Sequence, residues 1–183
     1  MLFRSGTEVG FTVGKYDPTR PLIIDPVLSY VANWGGTDYS FSTGGGIAVD
    51  QAKNLYVVGL TDSSHFATTT GAFRTTVPKG YNIFVTKLNS DATVALYSTY
   101  IGSGSAGNIV VDSAGCAYIA GGTLADDFPV TPGAFQTKLA RKNYSDLVVC
   151  KLNADGSDLL YSTYLGGQSG DRSEEHTSEL QSP

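Results

Sequence analysis

Histidine is nearly missing from this chain. Of two in 183 residues, His176 lies in the last dozen, which leaves His65 as the only one in the body of the sequence. Zinc centres, and triads that use an imidazole base, need histidines or cysteines in groups, so the inventory argues against both. His65, next to Phe66 between two apolar segments, reads as an ordinary loop residue. Cysteine is scarce as well, with Cys116 and Cys150 alone. Lysine and arginine number 12 against 17 acidic residues, a net charge of −5, and they form no cluster. That balance argues against nucleic acid and anionic membranes as partners. No apolar run approaches the ~20 residues that span a bilayer as a helix, and no 3.6-residue apolar period is sustained, so helices are not expected.

What the chain does contain is a repeat. LYSTYIG at Leu96–Gly102 returns as LYSTYLG at Leu160–Gly166, and a looser copy, YVANWGG, occupies Tyr30–Gly36. AVD at 48–50 answers VVD at 110–112, LYVVG at 55–59 answers AYIAG at 117–121, GAF at 71–73 answers GAF at 133–135, and KLN at 87–89 answers KLN at 151–153. The landmarks keep an offset of 62 to 64 residues. A constant offset over so many positions means one supersecondary unit copied in tandem.

Each copy reads as four short strands rich in β-branched and aromatic residues. They are Tyr30–Trp34, Gly46–Val49, Leu55–Leu60 and Ile83–Leu88, then Leu96–Ile101, Asn108–Val111, Ala117–Gly121 and Leu147–Leu152. Asp50 and Asp112 open turns in which a carboxylate can accept from the backbone, and Gly115 and Gly156 suit turn exits at positive φ. The long link Thr123–Ser145 holds Phe128 and Phe135 among prolines, and both rings are expected to fold down as an apolar plug. Tandem four-stranded units predict an all-β fold, an incomplete β-propeller of antiparallel sheets with two four-stranded blades plus the start of a third. A β-solenoid is the alternative, but its coils usually run under about 30 residues. Such a fragment leaves one blade face and one sheet edge exposed, which predicts low stability or association.

The expected organisation is residues 1–25 as the end of an upstream all-β domain, with strands at Gly10–Tyr16 and Leu22–Ile24, 26–95 as the first repeat and 96–159 as the second. Residues 160–171 begin a third copy, and 172–183 (RSEEHTSELQSP) break the pattern and resemble a translated sequencing-library adapter. Cys116 and Cys150 fall at the ends of neighbouring antiparallel strands, so a disulfide is conceivable, and buried free thiols are the preferred reading.

Ile47–Asp50, Ala114–Gly121, Phe128–Gln136, Lys151–Gly156 and Tyr161–Gly167 together resemble the bacterial SBBP repeat, whose name denotes a seven-bladed β-propeller. The resemblance covers about Pro26 to Asp171. The first copy departs from it, with Val31-Ala32-Asn33 in place of Ser-Thr-Tyr, Ala67 where the second has Pro129, and Ala92 where it has Gly156. The resemblance implies a large secreted or surface-attached bacterial protein, placed in the extracellular space or cell envelope, often beside adhesion-like modules. It carries over no catalytic residue.

Three features invite a functional reading. Asn153-x-Asp155-Gly156-x-Asp158 alternates oxygen ligands like a calcium loop, but it is too short and lacks a bidentate Glu, so a hairpin turn is expected and no metal site. Asp50 and Asp112 could bind a cation or sugar, although turn capping alone explains their recurrence. Trp34, Tyr39 and Phe41 could stack on a sugar. Trp34 is replaced by Ile101 and Leu165 in the other copies, which marks a strand position, so Tyr39 and Phe41 remain the ligand-binding candidates. The expected function is a non-catalytic, extracytoplasmic scaffold, adhesion or ligand-binding module with an unidentified protein or carbohydrate partner and no cofactor. The alternative is a propeller enzyme, a lyase or glycan-active protein, with its site in further blades.

Overall fold

The structure, a computed structural model, describes residues 2–5, 8–11, 15, 19, 35, 42–76 and 80–167. Among them every regular element is a strand. β1 (Leu2–Ser5) and β2 (Glu8–Phe11) form a two-stranded hairpin. Of the strand expected over Gly10–Tyr16, only its first two residues lie in β2, while the expected strands Leu22–Ile24 and Tyr30–Trp34 lie outside the described residues.

Two four-stranded antiparallel sheets follow. The first holds β3 (Ser42–Val49), β4 (Leu55–Thr61), β5 (Asn82–Leu88) and β6 (Ala95–Ser103) in chain order. The second holds β7 (Ser105–Val111), β8 (Ala117–Thr123), β9 (Asp146–Leu152) and β10 (Leu159–Leu165), also in chain order. Simple up-and-down order comes from the turns, because each link is either tight or folds back over its own sheet. Gly104 alone connects the two sheets.

The sheets are out of phase with the sequence unit. The YSTY strand, expected to open each copy, instead closes the preceding sheet as its outermost strand: β6 pairs with β5, and β10 pairs with β9. A periodic sequence has no natural starting point, and only hydrogen bonding decides which four strands share a sheet.

β3 and β7 are the inner strands and lie against each other. Each carries a bulge, between Gly44 and Gly46 in β3 and between Ala106 and Asn108 in β7. A Cβ added at Gly45 would come within 3.1 Å of the Gly107 carbonyl oxygen. The small residues at this point therefore let two backbones approach closely.

The main core lies between the sheets. Tyr56, Val58, Ile83, Val85, Tyr97 and Ile101 of the first meet Ile119, Val148, Cys150, Leu152 and Tyr164 of the second. Strand pleating puts each set on one face, and each fully buried aliphatic side chain contributes about 1.5–3 kcal/mol by leaving water. The first sheet is covered on both faces, since Phe66, Phe84 and Tyr100 make a second cluster behind it. The second is covered on one, and β9 alternates buried and half-buried along its whole length.

The YSTY strands are locked to the long links. Tyr100 Oη donates to the Ser63 carbonyl (2.7 Å) and accepts from the Phe66 N–H (3.1 Å). Tyr164 Oη donates to the Ala125 carbonyl (2.8 Å) and accepts from the Phe128 N–H (2.9 Å). Phe128 is thereby pushed between the sheets, where it packs against Gly102. Only half of the expected plug forms, because Phe135 is 84% exposed. Nothing within the described residues covers it.

Cys116 and Cys150 are free and buried. Cys150 pairs with Ile119, three residues beyond Cys116, and three strand residues span about 10 Å, too far for the roughly 7 Å limit of a disulfide. Burial pushes the Cys150 thiol up to about 12. Cys150 should therefore resist alkylation in the folded protein at neutral pH and react only on unfolding, as followed by mass spectrometry of modified peptides. Phe128→Ala should cost about 3–5 kcal/mol in urea unfolding and Tyr164→Phe about 1–3 by leaving buried backbone groups unpaired, whereas Phe135→Ala should stay within about 0.5.

Candidate functional site

Tyr39 and Phe41, the aromatic candidates read from the sequence, lie outside the described residues, as does Trp34. His65 is exposed in the link after β4, with its N–H on Ser63 Oγ and its ring against Ser64. The Asn153 segment is a hairpin turn between β9 and β10. Asn153 Oδ1 accepts the N–H groups of Ser157 and Asp158, and Gly156 takes φ 76°. Among the described residues no group of three His, Cys, Asp or Glu side chains could hold a metal ion.

Asp50 and Asp112 do cap their turns. Asp50 Oδ1 accepts from the Asn54 N–H (2.9 Å), and Asp112 Oδ1 accepts from Ala114 (3.0 Å) and Cys116 (2.9 Å). Their second oxygens form a cluster that capping does not explain. Asp112 Oδ2 accepts from Tyr118 Oη (3.1 Å) and sits 3.0 Å from Lys151 Nζ, which also donates to Tyr118 Oη (2.7 Å). In the first sheet Asp50 Oδ2 accepts from Tyr56 Oη (3.2 Å), with Lys87 Nζ at 3.8 Å. Both ammonium groups also lie over the tyrosine rings, 4.8 Å from the Tyr56 centroid and 4.6 Å from that of Tyr118. Tyr56 Oη reaches across the seam to the Gly115 carbonyl of the second sheet (3.2 Å). A cleft of about 310 Å³ between the two turns is lined by Asp50, Lys87, Asp112 and Ser113, among others.

The electrostatics follow from these contacts. Burial pushes the Asp50 carboxyl up, but hydrogen bonds from Asn54 and Tyr56 and the Lys87 charge outweigh it and hold it below the usual value. The Cys116 N–H and then Lys151 hold Asp112 down. The bond with Tyr118, and then Asp112, raises Lys151. An effective general base works near its operating pH. These carboxylates are displaced the other way and are committed to ion pairs that lock the turns.

The Asp–Tyr–Lys association was absent from the sequence reading, although its parts recur there: Asp to Tyr spans six residues in both copies, and the lysine opens KLN. The pleat brings Tyr56 opposite Lys87 and Tyr118 opposite Lys151.

At the other end of the seam is a larger cleft of about 470 Å³, whose lining includes Leu60, Tyr81, Leu124, Ser103, Ser105 and Ser145. Tyr81 and Leu124 are exposed there. The repeat puts Ser145 at the position of Tyr81, Gly122 at that of Leu60 and Asp62 at that of Leu124. Its side chains Leu60, Tyr81 and Leu124 thus differ from their counterparts in the other copy, with Thr123 (Thr61 in the first copy) recurring, while the ionic clusters are built from residues that recur.

In comparison with known proteins, the family model described as the SBBP beta-propeller repeat matches residues 34–67, which include β3, β4 and the start of the link carrying Phe66. No curated protein matches the chain.

Folded-state carboxyl values below the unfolded ones stabilise the protein at pH above about 4, the ordinary carboxylate range, and that stabilisation is lost as pH falls through the lowered folded values. Thermal melting of the wild type should therefore drop on acidification below about pH 4. Asp112→Asn, which keeps the shape and removes the charge, should melt lower at neutral pH and show a shallower acid limb, as scanned by circular dichroism.

Proposed function

We propose, from the match of residues 34–67 to the SBBP beta-propeller repeat, that the chain is part of a non-catalytic propeller scaffold of the extracellular space or cell envelope, taking a carbohydrate in the cleft beside Tyr81. The observation that carries the reading is the division of labour between the two ends of the seam. The recurring acids and bases are spent on one another, with depressed carboxylates and paired lysines. The non-recurring residues of the opposite end present an exposed tyrosine, an exposed leucine and several hydroxyl groups in one hollow. An aromatic face flanked by small hydroxyl side chains suits a sugar ring, whose C–H face stacks and whose hydroxyls exchange hydrogen bonds. The strands that line the cleft, β4, β6, β7 and β8, belong to the repeated framework, which leaves substitution within it as the source of selectivity.

The test is binding to a panel of bacterial and plant polysaccharides by glycan array and calorimetry, with product analysis of the same mixtures. Binding without new reducing ends or unsaturated sugars is expected, and Tyr81→Ala should weaken it by about tenfold, roughly 1.4 kcal/mol. Cleavage of any polysaccharide by the wild type would favour the enzyme reading instead. Binding untouched by Tyr81→Ala would remove the cleft from the proposal.

A further inference from the structure

The link before β9 is two residues longer than its counterpart before β5, and the excess is confined to one place. The offset between copies is 62 residues at GAF and 64 at KLN. Gln136 donates its N–H to Thr163 as Arg74 does to Thr99, still at an offset of 62. Asp146 opens β9 as Asn82 opens β5, at an offset of 64. The added residues therefore fall between Gln136 and Asp146, in TKLARKNYS. Lys138, Arg141 and Lys142 lie within five positions there, and no other five-residue stretch of the chain holds more than one cation. The segment is a shaped loop and not a tether. Asp146 is fully buried, and its Oδ2 accepts from the Ala140 N–H (2.7 Å) and from Gln136 Nε2 (2.9 Å). Gln136 Nε2 also donates to the Lys138 carbonyl (2.7 Å), and Leu139 packs against the core. Asn82 in the first copy instead donates to the Gly80 carbonyl, so the carboxylate that carries this loop has no counterpart there.

A hollow of about 510 Å³ opens on this loop, lined by Leu124, Asp126, Lys138, Leu139, Lys142 and Asn143. Leu124 also lines the cleft beside Tyr81, so the two hollows meet at one exposed side chain. Each has the size of a small-molecule site, about 300–1,000 Å³. Lys87 and Lys151 are spent on Asp50 and Asp112, whereas Lys138 and Lys142 are exposed and form no ion pair among the described residues. With Asp126 on the same wall, the hollow keeps a surplus of one positive charge. The Debye length at physiological salt is about 8 Å, so a ligand in the hollow meets that surplus rather than the acidic balance of the whole chain. We propose that the ligand of the Tyr81 cleft is an acidic polysaccharide, with Lys138 and Lys142 holding the carboxylate of a uronic acid residue next to the stacked sugar. The assignment rests on the carbohydrate reading above. One surplus charge suits a single carboxylate held by charge-assisted hydrogen bonds, and the Asn143 amide is placed for a neighbouring hydroxyl. The two-residue insertion thus gives the second link a selectivity that the first lacks.

The test titrates oligosaccharides of polygalacturonate, alginate and glucuronan, each beside its carboxyl-reduced neutral form, into the protein by calorimetry. At least one acidic form should bind about fivefold tighter than its reduced form, as two partly solvated ion pairs would give. The preference should fade in about 0.5 M salt. The double variant Lys138→Gln, Lys142→Gln, altered only at exposed positions, should abolish the preference. Lys53→Gln, which removes an exposed charge from the turn after β3, should keep it. If a reduced form binds as well as its acidic form and still needs Tyr81, the acid subsite is overturned and the carbohydrate reading stands. A preference that survives in the double variant also overturns the proposal. Binding of none of the acidic forms overturns it as well, whatever neutral glycan the cleft takes, and the absence of any binding removes the carbohydrate reading too.

Discussion

The tyrosine hydroxyl that closes each YSTY strand is the constraint on which the rest of this structure depends. One oxygen donates to a carbonyl and accepts an N–H from the same link, so a long loop that would otherwise wander is fixed at two points. The neighbouring Thr99 and Thr163 hydroxyls bind the N–H groups of Arg74 and Gln136 further along. Backbone pairs from Thr69 to Ser98 and from Thr131 to Ser162 complete the lock. Three consequences follow at once: the outer strand is no longer a bare edge open to pairing with other chains, the link is ordered, and a phenylalanine is delivered to the sheet face. In the second sheet that phenylalanine is the wedge between the sheets.

Within the described part of the two repeats the strands and their antiparallel neighbours were legible in the sequence because the information is local: β-branched alternation, Asp-led turns and a fixed repeat. The strand grouping was not, since Leu96–Ile101 reads equally well as the first strand of one unit or the last of another until its partner is known. Phe128 and Phe135 look alike as neighbours of Pro and Gly, yet one is buried and the other exposed. The difference lies in whether a sheet stands opposite, which no local pattern encodes. Capping by Asp50 and Asp112 was legible from turn chemistry. Their second oxygens meet Tyr and Lys only through strand pairing, and that contact emerged in three dimensions. Tyr39 and Phe41, candidates because they sit in a first loop that the other copy does not match, lie outside the described residues.

The seam separates two kinds of residue. At one end the charges are repeated and mutually satisfied, so they carry the geometry of each copy independently of its neighbours' identity. At the other end the copies diverge, and the cleft takes its character from Tyr81, Leu60 and Leu124. Repeat architectures tolerate such divergence because each unit contacts only its neighbours and stability is nearly a sum of local terms.

The single residue between β6 and β7 has a mechanical meaning. With Gly104 alone to join them, and with Gly45 pressed against Gly107 at the inner strands, the sheets have no slack between them. Tension along the chain would pass from one outermost strand directly into the next innermost strand. It would load the strand hydrogen bonds in turn before any linker could extend, so the unit responds to pulling as a stiff ratchet of sheets and not as beads on a string.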